Sequence, residues 1–200
     1  MTDLPRLPSI RQEGLSEDQR VVWEQITGGR RAAAHGGRGG LITAEGGLIG
    51  PFNAFLHSPR LGGPAAQLGE AVRFDSTLDR RTLELIIVVV AAHWRSDFEF
   101  WAHTRYAREA GVEEELISAV ASGADVTFAS LDDQRIVEAA TEILRTGRLG
   151  DDTYDSLLTQ LGTSGVVDLV TVVGYYSLVA FNLNVFRVPA PVASSELWPT

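Results

Sequence analysis

The sequence predicts an all-α protein, a helical bundle built from two related halves. Amphipathic segments recur from residue 15 to residue 184, several of them closed by Gly or Pro. The apolar runs between those closures exceed the five or six residues of an ordinary strand. Two pairs of segments also echo one another in the same order: Asp18-Gln19-Arg20-Val21-Val22 with Asp133-Gln134-Arg135-Ile136-Val137, and Glu84-Leu85-Ile86-Ile87-Val88-Val89 with Asp168-Leu169-Val170-Thr171-Val172-Val173.

Taken in order, residues 1–14 hold two prolines, Pro5 and Pro8, and read as an extended arm. Ser16 is the expected N-cap of a first helix carrying the stripe Val21, Val22, Ile26. Residues 28–50 contain nine glycines, with three arginines and His35, and read as a mobile surface loop. No GxxxxGK[ST] or strand-fed GxGxxG supports phosphate binding there; a loop of that length can instead serve as a lid.

PFNAFLHSPRL predicts a short helix stopping before Pro59, and residues 62–74 a further one. Ser76-x-x-Asp79 resembles a capping box opening LDRRTLELIIVVVAAHW. Ile86–Val90 is a mostly β-branched run that alone favours a strand. Leu78 to Trp94 passes without Gly or Pro, however, and predicts a buried helix.

Ser96, with Glu99 three residues on, predicts the capping box of the next helix, and Gly111 its end. Helices follow over residues 113–121, 131–145, 151–161 and 166–184, and residues 187–200 read as an extended, proline-broken tail. The whole chain is expected to form a single domain.

Composition narrows the function. The chain of 200 residues has no cysteine, which excludes thiol nucleophiles, redox pairs and zinc ribbons. A net charge of −9 repels nucleic acid and anionic lipid. The N-terminal residues show no signal-peptide pattern, so a cytoplasmic location is expected. Residues 165–186 are long and apolar enough to cross a bilayer. Because they carry Asp168, Asn182 and Asn184, they read instead as a core helix or an oligomer interface.

The chemistry concentrates between Glu84 and His103. Glu99 and His103 are four apart on a helix and share a face, where a carboxylate can orient an imidazole for acid–base work. Glu84 lies in an apolar run, where a carboxylate must be paired or protonated. Each residue also has a structural reading: Glu99 as a helix cap, His103 as a held helix residue, His93 as a complement to a helix dipole. Glu99, His103, His93 and His57 offer metal donors, but no paired Glu-x-x-His motif supports a metal site.

The blocks GPFNAFLHSP, L-x-x-R-x-x-E-L-I-I-V-V-V-A-A-H-W, E-F-W-A-H and A-R-E-A-G-V resemble the carboxymuconolactone decarboxylase family of the alkylhydroperoxidase D-like superfamily, most strongly over residues 50–123. The resemblance extends towards the C-terminus through GVVDLV-x-x-VGYY-x-LVA-x-x-LN-x-F-x-VP. It implies that Glu84 and His103 match the outer positions of the peroxidase motif, while Ser96 and Glu99 stand where that branch has cysteines. A Glu at that second position is similar to the decarboxylase branch.

The resemblance further implies an alkylhydroperoxidase D-like bundle, a homo-oligomer (trimer or hexamer), and cofactor-free chemistry on a small carboxylated lactone or related acid. His103, Glu99 and Glu84 would be catalytic. His93, Trp94, Trp101, Phe52, Phe55 and His57 would line the substrate site. An isomerase or hydrolase using the same residues, and a non-catalytic oligomeric binding protein, are the competing expectations.

Overall fold

The computed structural model describes residues 4–198 apart from 35, 124–127 and 129, and the backbone alone of Arg38. His35 therefore lies outside the described residues. The described chain is helical, with isolated bridges but no strand: α1 (Glu17–Thr27), α2 (Gly29–Ala34), α3 (Phe52–His57), α4 (Pro59–Phe74), α5 (Arg80–His93), α6 (Asp97–Glu109), α7 (Glu114–Ser122), α8 (Leu131–Thr146), α9 (Asp151–Val185) and α10 (Ser194–Leu197). Two compact units divide it, residues 1–75 with 182–188, and residues 76–181 with 189–200.

In the first unit, α1, α3 and α4 pack together around Val22, Trp23, Ile26, Phe55, Leu56 and Ala66. Ser16 and Gln19 form the capping box of α1. Val21, expected on the apolar stripe, faces solvent, and Trp23 takes its place in the core. Close approach of α3 and α4 depends on Gly62, where a Cβ would meet the Phe55 carbonyl oxygen at 2.2 Å.

Residues 28–50 are not the slack loop expected. Ala32, Leu41 and Leu48 are buried in the core, and Arg31 is buried with its guanidinium donating to the Ala66 carbonyl at 2.8 Å. Apolar anchors spaced through the segment outweigh its glycine content. Several glycines, Gly46 (φ 82°) among them, form tight turns that L-residues rarely adopt. The arm is also pinned: Asn53 accepts the Ile10 N–H and donates to Pro8, while Arg6 bonds to Phe186.

In the second unit, α5 is central and packs against α6, α7 and α8. Every residue from Leu83 to Ala91 is buried, which explains the all-round apolar run. The N-cap of α5 is Asp79, accepting the Thr82 N–H at 3.0 Å. Ser76, expected to share in that cap, instead donates to Asp168 of α9 and accepts from Leu78. Asp168 also accepts the Thr77 N–H at 2.6 Å, and these hydrogen bonds hold its carboxyl below the usual range. Arg81 ties α5 to Asp133 of α8 and to Glu113.

α9 breaks at Gly162 (φ 68°), so the two expected helices are both present, joined end to end. The helix is long and apolar enough to cross a membrane, yet half of its most apolar window is packed inside the protein.

Candidate functional site

The α5–α6 pair in the second unit builds the site. The reversal between them runs through Arg95, whose left-handed backbone (φ 49°) costs about 1 kcal/mol or more. Backbone bonds from Arg95 to Ala92 and from Ser96 to Ala91 hold that turn. It returns α6 along α5, so that His103 meets a residue 19 positions upstream.

His103 Nδ1 lies 2.7 Å from Glu84 Oε2. Glu84 is 1% exposed and His103 9%, so water barely screens the contact. With Glu84 as carboxylate, Nδ1–H donates to it and Nε2 is left on the opposite side of the ring for other proton traffic. Tyr176 of α9 and Tyr106 of α6 pack edge-on to the imidazole, with centroids 5.0 and 5.8 Å away. Neither tyrosine was singled out in the sequence. The GYY of the apolar segment was the only signal for Tyr176, and it reads equally as core; Tyr106 stands three residues after His103 on α6.

Glu99 is 1% exposed, and neither of its carboxyl oxygens has a hydrogen-bond partner among the described residues. Burial alone pushes its carboxyl well above the ordinary range, favouring the protonated acid. The expected capping box is absent: Ser96 is the N-cap by position but makes no side-chain cap bond. The expected Glu99–His103 contact is likewise replaced by Glu84–His103. Glu99 is buried rather than turned to the solvated helix end a cap needs, and α5 supplies the carboxylate that bonds His103. Glu99 and His103 still lie one helical turn apart, about 5–6 Å between Cβ atoms.

The remaining predicted residues fall elsewhere. His93 ends α5 and lines a cavity of about 840 Å³ with α7 and α8, including Val89, Val137 and Arg145. Burial lowers its pKa, and the Arg145 cation lowers it further. Trp94 donates to Ser177 at 2.9 Å and packs on Phe181. Trp101 packs on Phe98. In the first unit, Phe55 is core, Phe52 lies edge-on to it under the Arg31 cation, and His57 donates to the Pro8 carbonyl at 2.9 Å. Among the described residues no three His, Asp or Glu side chains converge as a metal site.

Residues 59–142 match the carboxymuconolactone decarboxylase family, a span holding Glu84, Glu99 and His103. No curated protein shows significant sequence similarity. Among solved structures, an uncharacterized peroxidase-related protein from Ralstonia eutropha with an alkylhydroperoxidase AhpD core superposes with a TM-score of 0.71 at 15% identity, covering 97% of this chain and 94% of its own. A protein of unknown function from Agrobacterium tumefaciens, suggested to be an AhpD antioxidant defence protein, gives 0.64 at 16% identity, over 72% of this chain and 99% of its own. Residues 59–142 thus carry a similarity to the carboxymuconolactone decarboxylase family, and the chain has the helical fold of the AhpD-like structures.

Proposed function

We propose that the protein is an acid–base lyase that decarboxylates a small carboxylated lactone or related acid through an enolate, using its own side chains alone. The observation that carries this reading is the buried Glu84–His103 hydrogen bond. Carboxymuconolactone decarboxylase similarity over residues 59–142 supports it. Thiol peroxidase chemistry is closed to a chain without cysteine.

In this reading the substrate C–C bond to its carboxylate breaks, CO₂ leaves, and the electron pair enters the conjugated lactone as a dienolate. Glu84 fixes the His103 ring, and protonated His103 delivers a proton to carbon through Nε2. Protonated Glu99 donates a hydrogen bond to the developing enolate oxygen, which a water-poor site makes more effective. His103 is then reprotonated from solvent, closing the cycle.

Copies of the chain are inferred to associate through α9, where Val167, Val170, Leu178 and Phe181 recur at helical spacing and stay exposed.

The test is turnover of a panel of small carboxylated lactones in D₂O, followed by NMR and CO₂ trapping. Released CO₂ with one deuteron on a carbon of the former dienolate is expected. A product of unchanged mass would indicate an isomerase, and a ring-opened product a hydrolase.

A further inference from the structure

Residues 189–198 belong to the second unit and close on the first turn of α6. This corrects the expectation of an extended, proline-broken tail: α10 forms there, and Trp198 is buried. Three contacts hold its indole. Nε1–H donates to Asp97 Oδ1 at 2.7 Å, the ring lies against Phe100 with centroids 4.4 Å apart, and the Arg95 guanidinium stands 4.3 Å from the ring centre.

These three partners bracket the site's unpartnered groups. Arg95 and Asp97 are the chain neighbours of Ser96, which is fully buried, and Phe100 follows Glu99 directly. The indole therefore grips the turn on both sides of Ser96 and the helix immediately beyond Glu99. A large aromatic held by a hydrogen bond, a stacked ring and a cation has little freedom, and the same holds for the turn beneath it.

Building on the acid–base reading above, we infer that Trp198 is a positioning residue of the site: it clamps the 95–97 turn and keeps water from the Glu99 carboxyl. It acts through Asp97, Arg95 and Phe100 rather than on substrate. Of the ionisable groups around Glu99's helix, Arg95 and Asp97 sit on the clamped turn, and α5 brings Glu84 joined to His103 and Arg80 paired with Glu109. Arg105 lies beside Glu109 further along α6, Arg108 pairs with Glu114 of α7, and α10 brings Glu196, which accepts the Ala193 N–H.

The test is isotope-edited infrared spectroscopy of the full chain carrying ¹³C-labelled glutamate. The protonated Glu99 carbonyl band is assigned as the one missing from E99Q. In the unaltered protein the band is expected at pH 7. W198A is expected to lose about half of it or more as water reaches the carboxyl, while W198F, which keeps the ring on Phe100 and Arg95, retains most of it. W198L removes the Asp97 hydrogen bond, the ring stack on Phe100 and the Arg95 contact while leaving a side chain to support folding, and is expected to lose the band likewise should W198A fail to fold.

A full band at pH 7 in a folded W198A or W198L overturns the inference, as does a wild-type protein lacking the band. An E99Q variant with undiminished turnover would instead sink the catalytic use of Glu99, leaving the dependence of the band on Trp198 as it was.

Discussion

His103 and Glu84 meet through Nδ1 and Oε2 at 2.7 Å, joining α6 to the middle of the most deeply buried helix in its unit. Removing one partner of a buried pair strands the other, at about 3–5 kcal/mol. Glu84→Ala should therefore lower the melting temperature far more than Glu84→Gln, whose amide oxygen can still accept the Nδ1–H. Circular dichroism melts of the two variants check this.

Turnover should separate the same residues differently. His103→Gln keeps hydrogen-bonding capacity but cannot exchange a proton near neutrality. A fall in kcat of roughly 10²-fold or more is expected with folding nearly intact. Steady-state kinetics on a substrate found by CO₂ trapping decide it; unchanged kcat would move the proton donor to another residue.

Glu99 makes stability depend on pH. Its folded pKa is raised, so the unfolded chain releases the proton first as pH climbs. Its contribution is intact below the ordinary Glu range and is lost as pH rises towards the raised value. Each pH unit within that window costs the wild type about 1.4 kcal/mol. Glu99→Gln has no proton to lose, so its melting temperature should gain on the wild type as pH rises above the ordinary Glu range. Parallel curves for the two proteins would remove the buried-acid description.

Gly62 sets the spacing of α3 and α4. A Cβ there would stand 2.2 Å from a backbone oxygen, so Gly62→Ala must push the helices apart, at roughly 1–3 kcal/mol. Gly14→Ala meets nothing within 4 Å and should be nearly neutral. Paired denaturant titrations of the two variants test the contrast.

Light scattering should give more than one chain's mass at micromolar concentration. Leu178→Glu with Phe181→Glu should lower that mass while leaving the helical signal unchanged, since both side chains are exposed on α9. A single-chain mass for the unaltered protein would refute association.

The helices were legible because their punctuation is local: Ser16 with Gln19, Gly111, Gly123 and Gly147 act within a turn of their own helix. The β-branched run of α5 was legible by its length. Site partners were harder. The i,i+4 rule pointed to Glu99 as the partner of His103, whereas the observed bond comes from Glu84 through helix packing, which no spacing rule encodes. Arg31, Leu41 and Leu48 were hidden by the glycines around them. Trp198 was hidden by the prolines before it, since its partners lie about a hundred residues away. Local chemistry reads along the chain, and long-range burial does not.

The site brings oxygen and nitrogen groups together without any sulfur: two carboxyls, an imidazole, a buried hydroxyl and two phenols. Met1 is the sole sulfur-bearing residue of the chain. Peroxide that drives a thiolate through sulfenic to sulfinic acid, or a core methionine to its sulfoxide, has no such target in these helices. On a fold shared with a peroxidase-related protein, the groups proposed to do the work here therefore sit off the sulfur oxidation ladder.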